Sequence, residues 1–120
     1  MAYKTDAFAT QTAPAILRGG VNKETITTTK VLTYRDSTVQ AITPSGGTKI
    51  VKLPAGKEGA TFLICNLDGA NALDVQTAAG VSLKTLAANN SGTPAVSIVE
   101  CWYSGAQWVA ICKTGHIAFA

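Results

Sequence analysis

The sequence has little of what catalysis or membrane insertion usually requires. Among 120 residues there are one histidine, three cysteines and one methionine, and only 14% of the chain is charged. Acid–base chemistry near neutral pH leans on histidine. His116 is the only one and sits in the terminal stretch TGHIAFA, which reads as a surface or interface position. Cys65, Cys101 and Cys112 are an odd number, stand in apolar runs and form no C-x-x-C pair, so they read as reduced core thiols and not as a disulfide framework or zinc site. No stretch reaches the about 18 apolar residues of a membrane span. The first twenty residues, MAYKTDAFATQTAPAILRGG, lack the apolar core of a secretory leader, and the chain is expected to be made in the cytoplasm and to stay soluble.

Other absences narrow the function further. A disordered polyelectrolyte or a coiled coil needs far more Glu and Lys. The net charge of +3 is spread thinly, +2 over residues 1–30 and +1 over the rest, without the clustered basic face that nucleic-acid binding uses. No G-x-S-x-G nucleophile motif occurs. Gly19 to Thr25 fails the spacing of a phosphate loop, and Asn89-Asn90-Ser91 reads as a turn. Asp68 and Asp74 lack the D-x-D-x-D-G series of a calcium loop, so Asp68-Gly69 reads as turn chemistry. The expectation is a protein that is no enzyme and uses no cofactor, metal, nucleic acid or membrane.

What the chain does have is a 47% hydrophobic composition with sixteen threonines and eleven glycines. Short β-branched runs at 25–33, 37–42, 48–53, 61–66, 72–77, 81–86, 95–103 and 107–112 alternate with turn-forming clusters such as TPSGG, PAGKEG, LDGAN and AAG. This predicts an all-β fold: a single β-sandwich or small jelly-roll-like barrel of about eight short strands with an extended N-terminal arm. The arm covers 1–24, the β-domain 25–113 and a C-terminal tail 114–120. Tyr3, Phe8, Ile16 and Leu17 are spaced irregularly along the arm, like single apolar anchors laid over another surface.

Two hairpins can be taken to register. A three-residue loop at Ala78-Ala79-Gly80 sets Thr77 opposite Val81, Val75 opposite Leu83 and Asp74 opposite Lys84. A two-residue turn at Ser104-Gly105 sets Cys101 opposite Trp108, Val99 opposite Ala110, Trp102 opposite Gln107 and Ile98 opposite Ile111, with Cys101 and Cys112 about four residues apart along the ladder. Both faces of this second pair are apolar apart from Glu100, which shares the Trp102 face. Such a pair is central in a core or faces a partner subunit. Trp102, Tyr103 and Trp108 could also stack on sugar rings.

The order of these pieces carries a resemblance. TPSGG at 43–47, Leu-Pro-x-Gly at 53–56, F-x-I-x-N at 62–66, L-x-V at 73–75 and the closing W-V at 108–109 resemble a β-module that recurs in structural proteins of tailed bacteriophages, over about 75 of the 120 residues. That resemblance implies a virion protein without catalytic residues, found in head decoration (cement) proteins and in tail spike or fibre domains, often as a trimer. The chain's brevity favours decoration. The expected function is therefore a cement protein that binds the major capsid protein on the outer surface of the head and self-associates as a homotrimer. Its expected capsid or subunit contacts are Tyr3, Phe8, Ile16, Leu17, Arg18, Trp102, Ile117 and Phe119. The alternatives are a tail fibre or spike module, a receptor- or carbohydrate-binding module of the virion, and a small hydrolase built on His116.

Overall fold

Residues 19–88 and 97–113 are described by the computed structural model. Nine strands form: β1 (Val21–Ile26), β2 (Lys30–Val31), β3 (Val39–Pro44), β4 (Lys49–Lys52), β5 (Thr61–Asn66), β6 (Leu73–Gln76), β7 (Ser82–Leu86), β8 (Ser97–Tyr103) and β9 (Trp108–Lys113). No helix occurs among the described residues, so the all-β expectation holds. The run expected at 25–33 is two strands. Ile26 and Leu32 are both buried in the core while Thr27, Thr28 and Thr29 between them are exposed, so the chain bends there from one sheet into the other. β1 itself begins at Val21, inside the stretch read as arm.

The strands build a five-stranded sheet in the order β1-β3-β5-β8-β9 and a four-stranded sheet in the order β2-β4-β6-β7. From β1 to β6 the chain changes sheet at every step. Each strand therefore returns to its own sheet by way of a strand in the other, a crossover long enough to bring it back parallel. β1, β3 and β5 run parallel, as do β2, β4 and β6; only β5–β8, β6–β7 and β8–β9 are antiparallel. A jelly roll is antiparallel throughout, and this pairing differs from it. Both sheets send side chains into one core: Ile42, Phe62, Ile64, Val99, Cys101 and Trp108 from the first, Val51, Leu73, Val75 and Leu86 from the second.

Both hairpin registers need correction. At the first, Thr77 N donates to Val81 O at 2.8 Å and Gly80 takes φ 92°, so the turn closes as expected. Beyond Gln76↔Ser82 a bulge at Leu83 shifts the ladder, pairing Val75 with Lys84, Asp74 with Thr85 and Leu73 with Leu86. Without that extra residue Leu86 would point away from the core, because a one-residue slip exchanges the faces of a strand. With it, Leu86 is fully buried. At the second hairpin the turn spans four residues, 104–107, and Tyr103 pairs with Trp108, Trp102 with Val109, Cys101 with Ala110 and Val99 with Cys112. Ser104 holds this wider loop: its N donates to Gln107 O at 2.9 Å and its hydroxyl accepts from Gln107 N at 3.3 Å. The shift is two residues, so the inward and outward sets are those expected. Cys112 now stands two residues along the ladder from Cys101, not four, and Cys65 is a free thiol.

Two motif positions explain themselves in the packing. Asn66, fully buried at the end of β5, shares its two amide hydrogens among Asn71 O, Leu86 O and Ala87 O at 3.0–3.1 Å, and its Oδ1 accepts from Asp68 N at 2.9 Å. Gly56 lies against Tyr103 so closely that a Cβ there would fall 1.8 Å from the ring, and Trp108 Nε1 donates to the neighbouring Pro54 O at 3.2 Å. The Leu-Pro-x-Gly loop is thus seated on the closing strand pair. Leaving buried carbonyls without a donor costs about 1–3 kcal/mol per group. Asn66→Ala is therefore expected to lower the unfolding free energy by at least about 2 kcal/mol in urea titration; an unchanged midpoint would contradict this role.

Candidate functional site

The outward side of the five-stranded sheet is the main feature left unexplained by the core. Alternation along each strand and the register place Val21, Val39, Leu63, Glu100 and Ile111 in one row across all five strands. Ala41, Cys65 and Ile98 form the adjacent row with Lys23 at its β1 end and Lys113 at its β9 end, and Thr61, Trp102 and Val109 flank the other side. Val21 is 64% exposed, Ile111 47% and Trp102 38%. Five strands at about 4.8 Å spacing and five residues at about 3.4 Å give a face of about 400 Å². Apolar patches of that size on soluble proteins are often functional. Burial pushes the Cys65 thiol above its ordinary value, in keeping with this dry surface.

The outward side of the four-stranded sheet is built differently. There the Asp74 carboxylate accepts from Ser82 Oγ at 2.6 Å, Gln76 Nε2 at 2.8 Å and Thr85 Oγ1 at 3.2 Å. Lys52 and Gln76 pair beside it. The two outer faces are chemically unlike: one centres on the hydrogen-bonded Asp74 network, with Val31 and Ile50 as its apolar positions, and the other is mainly hydrocarbon, with charged positions at Glu100, Lys23 and Lys113.

Of the expected contact residues, Trp102 lies on this apolar face. Tyr3, Phe8, Ile16, Leu17, Arg18, Ile117 and Phe119, together with His116, lie outside the described residues. The three aromatics of the closing strand pair do not make one stacking platform. Trp102 points outward, whereas Tyr103 and Trp108 pair on the inward side with ring centroids 5.5 Å apart. Trp108 continues to Phe62 at 6.3 Å and Phe62 to Tyr34 at 6.1 Å, and Lys57 Nζ sits 5.3 Å from the Tyr34 ring. These rings close one end of the core. Val21, Val39 and Leu63 were not singled out from the sequence, because their membership of one face depends on register between strands distant in the chain, and Ile111 was read only as a partner within its hairpin.

Other polar groups are engaged in structure, although the buried Thr38 Oγ1 has no hydrogen-bond partner. The Asp68 carboxylate accepts from Asn71 N at 2.6 Å and Ala70 N at 3.2 Å, which is turn chemistry as expected. Among the described residues no three His, Cys, Asp or Glu side chains are grouped to hold a metal, and no helix is long and apolar enough to cross a membrane. Between β1 and β2, Glu24 Oε1 meets Lys30 Nζ at 2.7 Å and accepts from Asn22 Nδ2 at 2.7 Å; Asn22 Nδ2 also donates to Gln40 Oε1 at 2.8 Å. The chain matches no protein-family model, no curated protein and no solved structure.

The Lys30 ammonium and the Asn22 amide hold the Glu24 carboxyl below its ordinary value of 4.5. A carboxylate depressed on folding adds stability above its unfolded pKa, and that stability is lost as pH falls through the folded one. Glu24→Gln is therefore expected to melt below the parent at pH 7, with the two curves converging as the pH is lowered from 4.5 through the depressed folded-state value. A difference that persists in acid would assign the loss to packing and not to charge.

Proposed function

We propose that the protein is a non-enzymatic decoration (cement) subunit of a tailed-phage head, trimeric on the outer capsid surface and bound to the major capsid protein. The observation that carries this reading is the mainly apolar outer face of the five-stranded sheet, set against the Asp74-centred polar network on the outer face of the other. In this reading the two sheets pack as a sandwich around their shared core, and the outer hydrocarbon face is what the subunit offers to its assembly partners. The resemblance of the 43–109 motifs to phage structural modules points the same way. Those motif residues hold turns and core, as Asn66 and Gly56 do, and leave the outer face free to serve assembly. Cementing needs no reaction. Several modest contacts per trimer, each below the size of a stable pairwise interface, add through avidity across the lattice.

Trp102 supports a second reading, in which an exposed ring on a virion tail module stacks on a receptor sugar. Quantitative mass spectrometry of purified particles separates the two: a copy number comparable to that of the major capsid protein is expected for decoration, and a handful of copies would move the protein to the tail. Ile111→Lys supplies the residue-level check. Its side chain points to solvent, so stability should change by no more than about 0.5 kcal/mol, while attachment to particles and self-association in sedimentation are lost. Undiminished attachment would overturn the role given to this face.

A further inference from the structure

We infer that the occupant of the apolar outer face is the N-terminal segment, residues 1–18, of a neighbouring copy of this chain. The inference rests on the assembly role proposed for that face and names the partner. The segment enters the described fold at the face's own corner: Val21 opens β1, the edge strand, and is the first residue of the row that continues through Val39 and Leu63 to Ile111. Immediately before it, Gly19 and Gly20 take φ 74° and 73° in succession. Two consecutive left-handed residues turn the chain out of the line of β1, a conformation that side chains rarely adopt. The bend is pinned, since Ser37 Oγ donates to Gly19 O at 2.8 Å and a Cβ on Gly19 would come within 3.1 Å of Ser37 Cα.

Length decides whose face is covered. From β1 to β9 the sheet is about 20 Å across at about 4.8 Å per strand spacing, a width that about six extended residues traverse. Ile16 and Leu17 fall within that span of Val21, but Phe8 stands thirteen residues before Val21 and Tyr3 eighteen. Extended, these reach up to about 40 and 60 Å. An arm laid straight over its own sheet thus runs out of surface before its outer aromatic anchors are used, whereas a neighbour's copy of the same face presents Leu63, Trp102 and Ile111 to receive them. The segment is also compatible in chemistry: its apolar residues match the face, Lys4 and Arg18 are counter-charges for the half-buried Glu100 in its central row, and Asp6 is one for Lys23 and Lys113 at the ends of the neighbouring row.

The test uses the full chain. Nitrogen-15-labelled and unlabelled protein are unfolded, mixed and refolded together, then treated with a lysine cross-linker, and Lys4–Lys23 linked peptides are read by mass. Lys23 lies exposed on the face beside Val21, one row away. Links joining a labelled to an unlabelled chain are expected in a substantial fraction, and should vanish in Phe8→Asp, whose circular dichroism and melting temperature stay those of the parent. Links of one isotope only, or no Lys4–Lys23 link at all, overturn the inference. If particles still bind and Ile111→Lys still releases them, such a result leaves the role of the face standing. If mixed links persist while Ile111→Lys binds particles like the parent, the assembly reading fails instead.

Discussion

The amide of Asn66 holds the two sheets in register with each other. It sits at the end of β5 in one sheet and donates to carbonyls at the end of β7 in the other, with the turn that leads into β6 organised around its Oδ1 and the Asp68 carboxylate. Because the group is fully buried, its bonds are made without competition from water, and no shorter or apolar residue supplies both donors and the acceptor. The core follows from that constraint. Phe62 and Ile64 on the Asn66 side of β5 share one core cluster with Leu73, Val75 and Leu86 of the other sheet, and the bulge at Leu83 is the adjustment that turns Leu86 inward to join them.

Once the inward positions are committed, what each sheet shows outward is fixed by alternation, and the two results are opposite. The four-stranded sheet spends most of its outward positions on polar side chains centred on Asp74, with Val31 and Ile50 beside them. The five-stranded sheet spends them on Val, Leu, Ala, Cys, Ile and Trp. Neighbouring side chains shield part of that surface, but Val21, Trp102 and Ile111 remain exposed to water, which is a cost unless something covers them. Reading the protein as an assembly subunit accounts for that cost and asks for no reactive group.

Much of this was legible in the sequence at the level of single strands. The runs at 61–66 and 81–86 match β5 and β7 closely, the turn glycine Gly80 was placed correctly, and the two-faced apolar character of β8 and β9 was visible in the alternation of 97–111. The pairing was not. Val21 pairs with Val39 eighteen residues on, but Val39 pairs with Leu63 twenty-four residues on, so no fixed period betrays the parallel stacking. The two strand pairs read as hairpins are hairpins, but for the others sequence shows which residues share a face and not which strand lies alongside. The same gap hid the outer face: Trp102 was read as an exposed contact from its own hairpin, while Val21, Val39 and Leu63 join it only through register. Trp102, Tyr103 and Trp108 read more readily as core or interface packing than as a stacking platform, and the structure divides them between the two, because neighbouring Trp102 and Tyr103 point to opposite sides of their strand.

The central claim is that the outer face of the five-stranded sheet is covered in the assembled particle and that of the four-stranded sheet is not. Hydroxyl-radical footprinting of the free protein and of the particle-bound protein tests it most directly. The account predicts strong protection of Trp102, Ile111 and Leu63 on assembly, with Val31 and Ile50 oxidised as readily as before. Unchanged labelling of Trp102 and Ile111 alongside protection of Val31 and Ile50 would contradict it.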